Sequence, residues 1–372
     1  FVSVHDRDTE KRVCFEGPRF EDGANMKEIK KNINTVISGM EKIWGENKFG
    51  SQSKMLAHAA MTIAMLLNKE ERKALGISSR VSNSDRPNII EVMNLLIGTD
   101  PTLELINTSH KVVSPGRGKD KSEGIVEKLA KWYQSILMDP KKRAEKRAKL
   151  GERELERIKE ITTAFHQLIS LYNTSGTEAL KPLRNKLPDL SSSDGLWETT
   201  TSSGKEREEV PISSFVHYGG PVIVDLTGKN SSISSKKIPM FSMFFHYMLW
   251  CSIQENCIGW GKKNKFIPIF VDELKNIVGT TDKKDTSELG YIVGEVADRG
   301  RAYGASHSVG FQRYDQLPPD ARSVVKGMKS KIYFALENSD DRDVVMKQLG
   351  DKTRYASENI ASLPPNTGYC IA

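Results

Sequence analysis

The chain has 372 residues, of which 38% are hydrophobic and 28% charged, a composition typical of globular proteins and not of disordered ones. At about 150 residues per domain, this length predicts two domains or one large one. Lys and Arg total 55 against 48 Asp and Glu, giving a formal net charge of +7. That charge permits a nucleic-acid or acidic-lipid partner without requiring one. Four scattered cysteines exclude a disulfide scaffold and indicate a reducing compartment.

The first part of the chain is predicted to be mainly helical. After a strand at the start, residues 26–44 place apolar side chains at helical spacing, and residues 55–67 are apolar on nearly every side, as in a buried helix. Residues 69–190 contain no convincing strand, and the pattern there predicts helices over 88–96, 124–138 and 152–172. A Ser-, Thr- and Gly-rich loop over 191–209 follows.

A basic run lies within this helical part. Residues 141–149 hold six basic residues and one acidic residue. Two readings remain open: the run is the solvated face of a long helix, or it is a patch that contacts phosphates. The phosphate reading names five candidate contact residues: Lys141, Lys142, Arg143, Lys146 and Arg147.

From about residue 210 the pattern changes to strands that alternate with helices. Apolar runs at 221–226, 266–271, 305–311 and 331–336 predict strands, the first of them buried on both faces. Residues 238–251, the most apolar stretch, cover 14 positions, fewer than the ~20 that a bilayer span needs, so they predict a buried helix. Strand–helix–strand alternation implies crossover connections and a parallel sheet. The fold class predicted is α/β, interrupted by an all-helical block.

Two adjacent carboxylates carry the strongest chemical signal. Asp272 and Glu273 directly follow the apolar strand FIPIFV, at the sheet edge where α/β proteins bind ligands. Mg²⁺ accepts carboxylate oxygens and keeps several waters, so Asp272 is suited to hold the metal through water. Glu273 is then suited to deprotonate a water that attacks a γ-phosphate. This is the Walker B pattern.

The segment after the next helix extends that signal. Arg299 and Arg301 end a helix, and an apolar strand then finishes near Gln312. An amide at the tip of a strand that follows the carboxylate strand is suited to sense a γ-phosphate or its attacking water. The alternative readings are a strand-end cap for Gln312 and a helix C-terminal charge for Arg301.

Four segments of the second half resemble a known family. They are GGPVIVDLTG at 219–228, FIPIFVDEL at 266–274, RGRAYGASHSVGFQRYDQLPP at 299–319 and KSKIYFALENSDDRDVVMKQLG at 329–350. They resemble the HerA–FtsK superfamily of ring-forming P-loop ATPases, and within it the conjugative (type IV) coupling proteins and type IV secretion ATPases. The resemblance implies a RecA-like P-loop NTPase fold with a mostly parallel sheet and an inserted all-α domain. The expected boundaries are residues 1–68 and 210–372 for the motor and 69–209 for the insertion with its exit loop.

The resemblance also implies an activity and partners. It implies ATP and Mg²⁺ as cofactors, a homo-hexameric ring and DNA translocation, with sequence-independent contacts to DNA phosphates. Arg301 is then the candidate arginine finger that reaches a neighbour's phosphate. A relaxase, a secretion channel or a nuclease is the kind of further partner expected, and the expected location is the cytoplasm, at the inner-membrane face if an anchor precedes the chain. Two alternatives stay open: a secretion ATPase that moves proteins, and a catalytically degenerate scaffold or DNA-binding subunit.

One departure from the family concerns the phosphate-binding loop. The 372 residues contain no G-x-x-x-x-G-K-[ST] sequence, whose backbone N–H groups cradle phosphates in P-loop enzymes. Because the first strand of the chain matches the family's second strand, we expect this loop to lie upstream of Phe1. His246, Cys251 and Cys257 lie on the apolar helix at spacings that do not match zinc ligand pairs, and they are expected to serve packing.

Overall fold

The computed structural model describes residues 2–3, 11–14, 19–44, 48–75, 92–93, 151–175, 181–187, 208–217, 220–225, 238–278, 288–349 and 356–371. The chain divides into two compact units, Phe1–Ser234 and Ser235–Ala372. The predicted helices at 88–96 and 124–138 and the loop at 191–209 lie largely or wholly outside the described residues. So does the basic run at 141–149. The predicted boundaries 1–68, 69–209 and 210–372 therefore stay predictions.

The first unit combines helices with two parallel pairs of short strands. Its described helices are α1 (Met26–Trp44), α2 (Ser51–Leu66), α3 (Lys69–Leu75), α4 (Glu152–Ser175), α5 (Lys181–Arg184) and α6 (Ile212–Phe215). Its described strands are β1 (Val2–Ser3), β2 (Lys11–Cys14), β3 (Glu208–Pro211) and β4 (Val224–Asp225). β1 pairs in parallel with β4, and β2 in parallel with β3.

The core of the first unit lies where α1 and α4 pack on α2. Nearly every side chain of α2 from Leu56 onward is buried, as its uniformly apolar sequence predicts. α1 contributes a single buried stripe that includes Ile29, Ile33 and Met40, and its first turn is capped by Asn25. α4 faces α2 with Ile161 and Phe165. The helical periodicity of the sequence is therefore realised as one three-helix core.

A buried ion pair joins α4 to the junction of α2 and α3. Arg157 is 2% exposed and donates to both carboxylate oxygens of Glu71 at 2.7 Å, and to the carbonyl of Leu66 at 2.8 Å. Burial by itself lowers the pKa of Arg157, but its hydrogen bonds with Glu71 and Glu154 raise that pKa overall. Glu71 also accepts the backbone N–H of Asn68 at 2.9 Å. The pair thus fixes where α3 begins against α4.

The second unit is an α/β unit. Its described helices are α7 (Ile238–Asn256), α8 (Leu274–Val278), α9 (Glu288–Tyr303), α10 (Pro319–Gly327), α11 (Ser339–Leu349) and α12 (Ala356–Ala361). Its described strands are β5 (Ile267–Val271), β6 (Ala305–Val309), β7 (Lys331–Tyr333) and β8 (Tyr369–Ile371). β5 and β6 are parallel, with Ile267 opposite Ala305 and Val271 opposite Val309, and β7 and β8 are antiparallel.

The core of the second unit lies between α7 and α9, which pack on each other. α7 buries Phe241, Phe244 and Ile253, and α9 buries Val293 and Val296. In the described part of the chain no helix is long and apolar enough to span a membrane. The apolar stretch at 238–251 is thus a core helix, as its sequence predicts.

A glycine fixes the connection from α9 into β6. Gly304 has a φ of +72°, and a Cβ at this position would lie 2.0 Å from the carbonyl oxygen of Lys265. Its own carbonyl accepts the N–H of Ile267 at 2.7 Å. Only glycine fits this close approach without strain, and the approach sets the register between β5 and β6.

Two predicted strands are shorter than their apolar runs. Of the strand predicted at 221–226, the described residues 221–225 form a strand at Val224–Asp225, and Ile223 is 57% exposed instead of buried. The strand predicted at 331–336 ends at Tyr333. β7 ends there because its antiparallel partner β8 offers three residues for pairing. Of the described strand pairs, β1–β4, β2–β3 and β5–β6 are parallel and β7–β8 is antiparallel. The described part of the chain is therefore a helix-rich α/β protein with mostly parallel, short strand pairs.

Candidate functional site

The two predicted carboxylates and the predicted amide meet at one edge of the β5–β6 pair. Asp272 and Glu273 directly follow β5, and Gln312 lies three residues beyond β6. Because the strands are parallel and Val271 pairs with Val309, their carboxyl ends lie side by side. The sequence argument that placed these residues at a shared edge therefore agrees with the geometry.

Backbone hydrogen bonds hold this edge beyond the end of the strands. The N–H of Gly310 donates to the carbonyl of Val271 at 2.8 Å, and the N–H of Leu274 donates to the carbonyl of Gly310 at 2.8 Å. Between them Glu273 has a φ of +49°, the left-handed region that residues other than glycine rarely adopt. Such strained residues occur often at functional sites, and this one starts helix α8 at Leu274.

Glu273 and Gln312 are in direct contact. The side-chain Nε2 of Gln312 donates to Oε1 of Glu273 at 2.7 Å. The other carboxylate oxygen, Oε2, is shielded from solvent and has no hydrogen-bond partner among the described residues. The contact couples the end of β5 to the segment after β6 across 39 positions of sequence.

A lysine that the sequence analysis did not single out completes the group. Nζ of Lys275, in the first turn of α8, lies 3.3 Å from Oε1 of Gln312 and 3.7 Å from Oε2 of Glu273. We refer to Glu273, Gln312 and Lys275 together as the edge triad. The sequence shows a lysine two residues after Glu273, but no local sequence pattern predicts that this lysine contacts Gln312, 37 residues later along the chain.

Asp272 is exposed beside the edge triad. Its Oδ1 accepts the N–H of Glu273 at 3.0 Å, and Oδ2 makes no hydrogen bond within the described ranges. Gly310 faces it closely enough that a Cβ there would lie 3.4 Å from Oδ1. Magnesium favours one or two carboxylates together with several waters. A solvent-facing carboxylate with a free oxygen therefore fits a hydrated Mg²⁺ held through water.

The segment that carries Gln312 is anchored to α11. The N–H of Tyr314 donates to Oδ1 of Asp341 at 3.1 Å, and the Tyr314 ring lies edge-on against Phe311 at 5.0 Å. Asp341 is 2% exposed, and burial raises the pKa of its carboxyl group. Gln312 is thus flanked on both sides by residues whose positions are fixed by packing.

Arg301 lies at the opposite end of the same strands. It is an exposed residue in the last turn of α9, immediately before β6, whereas Gln312 follows β6. The five residues of β6 span about 16 Å. Three exposed lysines of the neighbouring 260–265 segment, Lys262, Lys263 and Lys265, lie at this end. Arg301 therefore does not join the edge triad of its own chain.

The histidine and the two cysteines for which the sequence predicts a packing role lie in helix α7 or directly after it. His246 is buried in α7, with Nδ1 2.7 Å from the carbonyl of Ser242, and its ring centroid lies 6.0 Å from that of His307. Cys257 is buried and Cys251 half-buried, both as free thiols. Among the described residues no group of three or more His, Cys, Asp or Glu side chains could hold a metal ion. Lys141, Lys142, Arg143, Lys146 and Arg147 lie outside the described residues.

The chain was compared with family models, curated proteins and solved structures. No family model and no curated protein matches the chain. Among solved structures, the chain is similar to the bacterial conjugative coupling protein TrwBdeltaN70 in its unbound monoclinic form, with a TM-score of 0.45 and 12% sequence identity. The match covers 100% of this chain and 71% of that chain. These values assign no family.

Proposed function

We propose that the chain is the motor part of a Mg²⁺-dependent ATPase with a RecA-like P-loop fold. The observation that carries the proposal is the 2.7 Å hydrogen bond from Gln312 to Glu273 at the edge where β5 and β6 end. Independent sequence signals, a carboxylate pair after one strand and an amide after the next, are joined there in space. The contact places a candidate proton acceptor for water beside a group suited to respond to the γ-phosphate.

Each side chain has a proposed role. Asp272 would hold hydrated Mg²⁺, which when bound neutralises charge on the β- and γ-phosphates. Glu273 would accept the proton of the attacking water at Oε1 once the Gln312 amide leaves that oxygen. Gln312 would move between Glu273 and the γ-phosphate, and so report whether ATP is present.

The phosphates themselves need a further element. A P-loop ATPase wraps them with the backbone of the G-x-x-x-x-G-K-[ST] segment, which the 372 residues do not contain. The proposed site is therefore complete only in protein that carries this loop upstream. A scaffold subunit that binds no nucleotide is the second candidate function, and binding of Mg-ATP distinguishes the two.

The proposed assembly is a hexameric ring that translocates DNA. The resemblance to coupling proteins supports it, and so does the position of Arg301. Because Arg301 lies about one strand length from Gln312 of its own chain, it is suited to reach a phosphate bound to a neighbouring subunit. DNA would be held by basic residues through its phosphates, without base readout.

The test is ATP turnover by assembled protein that carries the upstream loop, measured with and without DNA. We expect hydrolysis that requires Mg²⁺, rises with DNA and is lost in Asp272→Ala. Turnover that DNA does not change would favour the secretion ATPase that moves proteins. No hydrolysis and no binding of Mg-ATP would favour the scaffold.

A further inference from the structure

We propose that Lys275 is a positioning residue that sets the orientation of the Gln312 amide. The inference rests on the proposed function, in which Gln312 works against Glu273. It assigns a role to the third residue of the edge triad, a residue that in this proposal binds neither the metal nor the attacking water. It also explains why the amide presents its NH₂ group, and not its oxygen, to the carboxylate.

The chemistry of the three side chains fixes the orientation. A lysine ammonium group has three donors and no acceptor, whereas an ionised carboxylate only accepts. An amide placed between them satisfies both neighbours in a single orientation, with Oε1 toward Lys275 and Nε2 toward Glu273. The distances are those of this orientation, 3.3 Å to Nζ of Lys275 and 2.7 Å to Oε1 of Glu273. Without the ammonium group, only the contact with Glu273 favours this orientation of the amide.

Lys275 also faces the oxygen of Glu273 that lacks a hydrogen bond. Nζ lies 3.7 Å from Oε2, which is shielded from solvent and otherwise unpartnered among the described residues. A shielded, unpaired carboxylate oxygen is costly, and a nearby positive charge offsets this cost. One side chain thus orients the amide and holds the carboxylate that the amide contacts. Glu273 directly precedes α8 and has a left-handed backbone conformation.

The kinetic test separates positioning from direct binding of nucleotide. In loop-containing protein, Lys275→Met should lower kcat about 10-fold or more, because a misplaced catalytic group costs one to two orders of magnitude, while KM for ATP stays within about 2-fold. Lys275→Arg, which keeps the donors, should restore most of the rate. In a Gln312→Met background Lys275→Met should have a clearly smaller effect, because only its contact with Glu273 is then left to lose. A rise in KM at unchanged kcat would overturn the inference.

A second measurement does not depend on ATP. The chain has seven glutamines, so selective ¹⁵N labelling of glutamine side chains gives few amide signals, and Gln312→Met identifies the one of Gln312. We expect that signal to lie apart from those of freely solvated amides, to move toward them in Lys275→Met, and to stay in place in the control Lys329→Met, which replaces an exposed lysine elsewhere. A Gln312 signal unchanged by Lys275→Met would overturn the inference. If the signal moves but wild-type protein hydrolyses no ATP, the proposed function fails and the orientation by Lys275 stands.

Discussion

His246 and His307 lie side by side in the core of the second unit, with ring centroids 6.0 Å apart. Burial first, and then the neighbouring His246, lower the pKa of His307 to about 3. Burial also lowers the pKa of His246 from its usual 6.5. Both imidazoles therefore bind protons less readily in the folded chain than in the unfolded chain, where their pKa is near 6.5. Because the unfolded state then binds more protons, stability decreases on acidification between about pH 6.5 and pH 3.

We predict that His307→Phe reduces this pH dependence. From pH 7 to pH 5, wild-type protein should lose about 2 kcal/mol of unfolding free energy through His307, since one pKa unit corresponds to about 1.4 kcal/mol. Urea denaturation at the two pH values measures the loss. The control is His166→Phe, which removes an exposed imidazole of α4 and should keep the wild-type dependence. An equal loss in His307→Phe and wild type would contradict the assignment to His307.

The sequence predicted Glu273 and Gln312 as residues of one site but could not predict Lys275. The first two each end a recognisable strand, and parallel strands bring such ends together. Lys275 contacts Gln312 only because the left-handed turn at Glu273 begins α8 at once. No pattern of residue types around Glu273 predicts this left-handed turn, so the contact between Lys275 and Gln312 becomes evident only in the folded chain.

At the scale of elements, the buried pair of Arg157 and Glu71 joins three helices. Arg157 comes from α4, it donates to the last residue of α2, and its carboxylate partner Glu71 lies in the first turn of α3. Both side chains are nearly inaccessible to solvent. Removing one partner of such a pair leaves a buried charge without compensation, which is far more costly than the pair itself is stabilising.

We predict that Arg157→Met destabilises the chain by about 3–5 kcal/mol, the usual cost of breaking a buried pair. Thermal or urea unfolding measures it. Lys30→Met is the matched control, because it removes a partly exposed pair with Glu160 and should cost less than about 1 kcal/mol. Adding Glu71→Gln to Arg157→Met should recover part of the loss. A loss no larger than that of Lys30→Met would show that the buried pair is not an important contact.

The sequence predicted the helices more accurately than the lengths of the strands. Helices α1 and α7 match their predicted starts because long amphipathic or uniformly apolar stretches encode helices locally. Strand lengths were overestimated at β4 and β7, whose pairing depends on distant partner strands, and β7 ends where β8 offers no further backbone groups. Those partners, β1 and β8, lie more than 200 and about 35 residues away along the chain, a separation that no local pattern conveys.

At the scale of the whole molecule, the proposal requires contact with DNA phosphates. Such contact releases counterions, so affinity should fall with salt at a log–log slope of about −0.9 for each phosphate engaged on duplex DNA. The net charge of +7 favours this contact but does not locate it. The basic run at 141–149 and the exposed lysines beside Arg301 are the two candidate surfaces.

We predict that replacing the basic run flattens the salt dependence. The variant changes five residues to Gln: Lys141, Lys142, Arg143, Lys146 and Arg147. The control removes the same charge from five scattered exposed lysines: Lys27, Lys73, Lys159, Lys329 and Lys347. DNA binding by assembled protein, measured over a range of salt concentrations, should show a smaller slope for the first variant only. An unchanged slope would make the run a solvated helix face, and no binding at low salt would contradict the translocase.

The most direct test of the central claim compares ATP binding with ATP turnover in Glu273→Gln, in protein that carries the upstream loop. Because Gln keeps the size of Glu273 but cannot accept a proton, we predict nearly unchanged Mg-ATP affinity and turnover reduced by about 10²-fold or more. Glu337→Gln, at an exposed position, should behave as wild type. Equal losses of binding and turnover, or full turnover in Glu273→Gln, would contradict the assignment of this strand end as the site of hydrolysis.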